Sequence, residues 1–127
     1  MKVYKGRRLG TVKDTGSDVV VTVQEIQKDF PGFSDIKGEI KNLKHHVYHS
    51  PTGFSWGYGG SGPADLACSI LWDLLGKEPD MQLYQAFKHR FVANWGDEWE
   101  INERDIRGWF LVYGWKYGRP ESLLNEK

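Results

Sequence analysis

The stretch GFSWGYGGSGPADLACSIL, from Gly53 to Leu71, changes from an alternating aromatic pattern to an apolar helical pattern. Phe54, Trp56 and Tyr58 occupy every second position, which is typical of a strand with one buried face. From Pro63 to Leu75 the apolar residues recur every three or four positions, which predicts an amphipathic helix. The sequence therefore predicts a strand that enters a helix through a glycine-rich turn.

The glycine-rich turn admits a structural and a functional interpretation. Its G-x-G-x-x-G spacing is typical of dinucleotide-binding turns, but those also need a second parallel strand after the helix. Pro63 lacks a backbone N–H that a phosphate would use, and Asp65 brings a carboxylate to the helix start. We interpret the turn as structural, with Ser61 and Asp65 acting as a cap. The alternative is a nucleotide or small-anion site, with weak hydrolysis as a variant, formed by Gly57, Tyr58, Gly59, Gly60, Ser61, Gly62 and Asp65.

Strand patterns lie on the N-terminal side of this turn. We predict strands at Val3–Lys5, Leu9–Lys13 and Val19–Gln24, and a hairpin that joins Leu43–His49 to Gly53–Tyr58. Residues 24–42 are interrupted by Pro31, Gly32 and Gly38 and show no steady period, so we interpret them as a long connection or insertion.

Helical patterns dominate the C-terminal side. We predict a helix at Asp80–Asn94, a short strand with Trp99 and Ile101 pointing inward, and a third helix capped by Asn102. Residues 114–127 are interpreted as a partly ordered tail. Strands come first and helices later, which favours an α+β fold: a small antiparallel sheet of hairpins packed against about three helices in a single domain, 1–127.

The periodic apolar faces also predict the core. Each must be buried against another element, so we expect one core that contains Phe54, Trp56, Ala67, Ile70, Leu71, Leu74, Phe87, Phe91, Ile106 and Phe110.

Composition restricts the choice of partners. Lys and Arg total 17 and Asp and Glu total 17, so no net charge favours nucleic acid or an anionic membrane. Cys68 is the single cysteine, and His45 and His49 on one strand would lie ~13 Å apart, too far to share a zinc ion. We expect no metal, no cofactor, no membrane span and a cytoplasmic protein.

Two short segments are candidate surfaces for a partner. Phe30 and Phe33 flank a Pro-Gly turn, and Arg7 and Arg8 lie in a basic N-terminal segment. The basic segment is interrupted by acidic residues, so a nucleic-acid accessory role is the weaker interpretation.

The stretch HSPTGFSWGYGGSGPADLACSIL resembles the signature of an uncharacterised family of small bacterial and phage proteins, DUF6166. An N-terminal V-Y-x-G segment at Val3, Tyr4 and Gly6, and a later W-x-I segment at Trp99 and Ile101, extend the resemblance over most of the chain. The resemblance implies a bacterial or phage setting and no assigned activity. We find no counterpart in the family for residues 24–42.

These observations lead to three hypotheses. The first is a non-enzymatic binding protein of phage or mobile-element type that contacts a host protein, such as an enzyme or a defence component, and inhibits it. The second is the nucleotide or small-anion binder at the glycine-rich turn, and the third is the nucleic-acid accessory protein. The sequence does not determine an oligomeric state.

Overall fold

The computed structural model describes residues 1–9, 19–27 and 36–117, except for the side chains of 114–117. The strands are β1 (Lys2–Arg8), β2 (Val19–Gln27), β3 (Ile36–Asn42) and β4 (Glu98–Asn102). The helices are α1 (Ser61–Leu75), α2 (Met81–Arg90) and α3 (Glu103–Tyr117), with a 3₁₀ turn at Val92–Asn94. The strands lie in the order β3-β2-β1-β4 and each neighbouring pair is antiparallel. The predicted α+β class is confirmed.

One face of the sheet packs against the helices. Tyr4 lies opposite Ile101 across β1 and β4, and all atoms of Tyr4 are shielded from solvent. Its hydroxyl donates to Asp73 of α1 at 2.7 Å, so the strand and the helix are joined by a polar contact as well as by packing. Gly6 lies opposite Trp99, and a Cβ at Gly6 would be 2.5 Å from the indole Nε1. Only glycine at this position lets the indole lie flat on β1.

The core forms where the sequence predicted it. Helix α1 is buried on almost every side, and Ile70 and Leu71 have no exposed surface. All ten residues predicted to be interior lie in the core cluster or pack against it, with Phe91 only partly buried. The physical reason is that each periodic face needs a partner, and the sheet with its three helices provides one shared interior.

Two strand predictions are wrong. Leu43–His49 and Gly53–Tyr58 do not form a hairpin, because both segments run as irregular chain beside α1. In Gly53–Tyr58 the alternating aromatic residues Phe54 and Trp56 are still buried, so these side chains are interior although their backbone pairs with no strand. In the first hairpin the strand that begins at Val19 pairs with Lys2–Arg8, and residues 10–13 of the predicted strand Leu9–Lys13 lie outside the described residues.

The segment interpreted as a long connection contributes to the sheet. Residues 24–42 include the end of β2 and the whole of β3, whose seven residues are all exposed. Strand β3 pairs with β2 through a register shift between Gln24 and Ile26. Residues 10–18, 28–35 and 118–127 lie outside the described residues, and the predicted tail begins as the last helical turn of α3.

Two predicted helix boundaries are confirmed by their caps. The Asn102 side chain accepts the backbone N–H of Asp105 at 2.8 Å at the start of α3. Helix α1 ends at Gly76, which adopts the left-handed conformation with φ of 76°. Within the described ranges, no helix has the length and apolarity needed to cross a bilayer.

Candidate functional site

The glycine-rich turn brings α1 against the chain that precedes it. Gly57 has a φ of +87°, and its N–H donates to the carbonyl of Val92 at 3.0 Å. Gly62 is packed so closely on Ser55 that a Cβ there would lie 2.7 Å from the Ser55 Cβ. These two glycines are therefore required by backbone geometry and close packing.

The other residues of the turn are less constrained. Tyr58 is 52% exposed and its ring lies beside Gly60, whereas a Cβ on Gly59 would meet open space. Ser61 is exposed and is the first residue of α1, and the N-cap is Gly60, without a side-chain hydrogen bond. The prediction that Ser61 caps the helix is wrong, because the chain enters the helix one residue earlier than a serine cap requires.

Asp65 has a different role from the one predicted. Its carboxylate has no exposed surface and lies beyond the first turn of α1, directed at the irregular segment 45–50. The backbone N–H groups of His49 and Ser50 both donate to it at 2.9 Å, and that of Tyr48 does so at 3.2 Å. The carboxylate is thus the acceptor that satisfies three consecutive backbone donors, which would otherwise be unpaired.

His45 provides the fourth contact to the same carboxylate. Its Nε2 lies 2.8 Å from Asp65 Oδ2, and its ring packs on Phe54 with centroids 4.4 Å apart. Because the carboxylate already accepts from backbone N–H groups, the network assigns the hydrogen to His45 Nε2. No sequence pattern indicates this pair, since the two residues are 20 positions apart and His45 lies in an irregular segment.

The two neighbouring histidines have separate partners. His49 Nε2 lies 2.9 Å from the hydroxyl of Tyr84 on α2. The His46 ring stacks on Trp72 at 3.7 Å, and burial, followed by the charge of Lys44, lowers its pKa. The three imidazoles point to three different places, and no group of three metal-ligating side chains forms among the described residues.

Several other titratable groups near α1 are held in their neutral form. Burial raises the pKa of the Cys68 thiol to about 12, and burial also raises the pKa of Tyr84. The hydrogen bond to Glu78 raises the pKa of Tyr48 to about 12. None of these groups can act as an anionic nucleophile near neutral pH.

Arg8, a predicted contact residue, is used within the fold. Its guanidinium donates to Asp97 at 3.0 Å and to the carbonyl of Trp56 at 2.9 Å, and it lies over the Trp56 ring. These contacts attach the end of β1 to the chain just before the glycine-rich turn. Arg8 is therefore a structural residue.

Arg7 points to the opposite side of the sheet, where no described helix packs. We call this side the bare face, and it consists of Lys5, Arg7, Val20, Thr22, Ile40, Glu98 and Glu100. Together with the backbone near Gly6 and Trp99, these residues line an open groove of about 550 Å³. Of the four predicted contact residues, Arg7 alone is placed in it, and Phe30 and Phe33 lie outside the described residues.

The fold and the site define a small α+β domain in which the described helices cover one face of an antiparallel sheet. The buried Asp65 of α1 accepts hydrogen bonds from the irregular segment 45–50. Residues 4–112 match the model of a family of unknown function, DUF6166, and the chain belongs to that family. Comparison with curated proteins and with solved structures gives no match.

Proposed function

We propose that the protein acts by protein–protein contact and that the bare face is its contact surface. The observation that carries the proposal is the exposed Ile40, which lines the same open groove as Arg7 on a sheet whose other face is covered by helices. Ile40 is 62% exposed, and a large apolar side chain in an open groove is a typical feature of a contact surface.

The charges of the bare face specify the chemistry of the partner. Lys5 is balanced by Glu100 at 3.7 Å, whereas the Arg7 side chain forms no ion pair or hydrogen bond with the described residues, although Glu98 lies opposite it on β4. A partner that places an apolar side chain over Ile40 and a carboxylate beside Arg7 complements this arrangement. The near balance of basic and acidic side chains favours a protein over a nucleic acid, whose binding needs unpaired cations.

Addition of a partner strand at the sheet edge is a less suitable mode. Strand β3 is an edge of the sheet, but it carries Lys37 and Lys41 and the irregular register opposite Glu25. Lysines and bulges on edge strands oppose pairing with another strand. The sheet face therefore remains the favoured surface.

The resemblance to bacterial and phage proteins suggests the setting. A host protein, in the cytoplasm, is the partner that we propose, and inhibition of that protein is the expected consequence. The glycine-rich turn offers less support for a nucleotide site. The Asp65 carboxylate already accepts hydrogen bonds from the segment 45–50, and backbone geometry and close packing account for Gly57 and Gly62.

Site-specific photo-crosslinking in the host tests this proposal. A benzophenone amino acid is placed at Ile40 on the bare face and, as a matched control, at Val112, an exposed apolar position on α3. We expect one discrete crosslinked protein from position 40 and none from position 112, with loss of the product when Arg7 is replaced by Glu.

The proposal is wrong if position 40 yields no product, or if both positions yield the same one. A crosslink between two copies of the chain would instead assign the bare face to self-association and would also refute a host partner.

A further inference from the structure

The bare face carries its charged and its apolar side chains on different strands. Lys5 and Arg7 lie on β1 and are paired in register with the acidic residues of β4. Val20 on β2 and Ile40 on β3 line the other half of the same groove. Because the strands follow the order β3-β2-β1-β4, the face changes from apolar through basic to acidic across the sheet. A segment that lies over β2 therefore has apolar side chains on one flank and cations on the other.

The face of a sheet offers side chains but no backbone hydrogen bonds. The N–H and C=O groups of a strand point sideways to the neighbouring strands, so a segment that binds on the face must satisfy its own backbone groups. An α-helix does so internally. A single extended segment has a row of unpaired N–H and C=O groups along each edge. The bare face therefore favours a helix over a strand.

The width of the face fits one helix. Ile40 on β3 and Glu98 on β4 are separated by three inter-strand spacings, which is about 14 Å. A helix with its side chains is about 10–12 Å across. One helix thus covers the two central strands and touches the side chains of both edge strands, in the open groove of about 550 Å³.

We propose that the partner binds the bare face through an amphipathic α-helix, with an apolar stripe on Val20 and Ile40 and a carboxylate on the flank that meets Arg7. This inference rests on the contact function proposed above and specifies the class of partner. A carboxylate that approaches from β2 is one inter-strand spacing from β1, about 4.8 Å, and two from Glu98 on β4, about 9.6 Å. Its attraction to Arg7 therefore exceeds its repulsion by Glu98.

The spacing of crosslinks along the partner distinguishes a helix from a strand. A benzophenone amino acid is placed at Ile40 in one variant and at Val20 in another, and the attached residues of the partner are identified by mass spectrometry. Ile40 pairs with Gln24, four residues from Val20 on β2, so the two positions lie about 14 Å apart. This distance corresponds to about nine residues of a helix, at roughly 1.5 Å each, and to about four residues of a strand.

We expect both variants to attach to one segment of the partner, at sites roughly seven to eleven residues apart. A smaller or larger separation, attachment to separate segments, or no product from a folded position-20 variant would overturn the helix and leave the contact function intact. Absence of a product at position 40 would refute the contact function itself, and the helix with it.

Synthetic peptides keep the test valid if the variant at position 20 does not fold. The segment attached at position 40 is synthesised with Pro, or with Ala as the matched control, two positions after its attachment site, which is the far side of a helix. Fluorescence anisotropy with the wild-type full chain should give an affinity at least roughly tenfold lower for the Pro peptide, because proline breaks a helix interior. Equal affinities, or no binding of the Ala peptide, would overturn the helix.

Discussion

Replacing Asp65 with Asn should loosen the segment 45–50 and destabilise the whole domain. The carboxylate accepts hydrogen bonds from three backbone N–H groups and from His45, and it has no exposed surface. Asparagine keeps the shape of the aspartate side chain but replaces one acceptor oxygen by an NH₂ group, which would face the backbone N–H groups or the His45 N–H that now donate to that oxygen. The change therefore removes a charge and creates a donor–donor conflict in a buried position.

The magnitude follows from the number of contacts. A hydrogen bond to a charged group contributes about 1.5–3 kcal/mol, so four would give roughly 6–12 kcal/mol if nothing could move. Tyr48 and His49 have exposed side chains, so this end of the segment can move into water and recover part of that loss. We expect a loss of about 3–5 kcal/mol, similar to that for removing one partner of a buried charged pair.

Urea unfolding and native-state hydrogen exchange measure the two consequences. The free energy of unfolding should fall by the stated amount at an unchanged urea dependence. The amides of His49 and Ser50 should lose their protection, while amides of β1 and β2 change only with global stability.

The control is Asp97→Asn, because this side chain is 89% exposed and forms one ion pair with Arg8. Its cost should be at most about 1 kcal/mol. If Asp65→Asn also costs less than about 1 kcal/mol, or the two amides stay protected, Asp65 does not hold this segment.

Three further predictions concern packing and reactivity. Gly62→Ala should cost about 1–3 kcal/mol because its Cβ would lie 2.7 Å from the Ser55 Cβ, whereas Gly59→Ala meets open space; equal melting temperatures of the two variants would contradict this account. Leu71→Ala should lower the free energy of unfolding in urea by roughly 2–5 kcal/mol, because Leu71 is fully buried, whereas Leu111→Ala, at a position that is 53% exposed, should lower it by less than about 0.5 kcal/mol; a larger loss for Leu111→Ala than for Leu71→Ala would contradict this account. The Cys68 thiol, whose pKa burial raises to about 12, should resist Ellman's reagent at pH 8 in the folded protein and react at once in urea; rapid reaction without urea would show that the thiol is accessible.

Local periodicity was sufficient for the helices and the core. The spacing of Ile70, Leu71 and Leu74 places them on the buried side of α1, and the structure confirms it. The same reasoning failed for Leu43–His49, where alternation suggested a strand. It failed as well for Gly53–Tyr58, where Phe54 and Trp56 are buried without strand pairing. In Leu43–His49 the alternating Val47 is 54% exposed, so alternation alone establishes neither a strand nor burial.

The sequence by itself determined the fold class, the positions of the three helices and the apolar residues of the interior, because these depend on patterns within ten to twenty neighbouring residues. Only the tertiary structure decided what the polar residues do. Asp65 bonds to residues 15 to 20 positions away, and Arg8 bonds to the carbonyl of Trp56, 48 positions away. Such contacts depend on the tertiary structure, since the fully buried Asp65 carboxylate and the 37% exposed Arg8 side chain bond to partners that only the folded chain brings near them. The same packing left Arg7 and Ile40 on the bare face, which no local pattern distinguishes from a covered one.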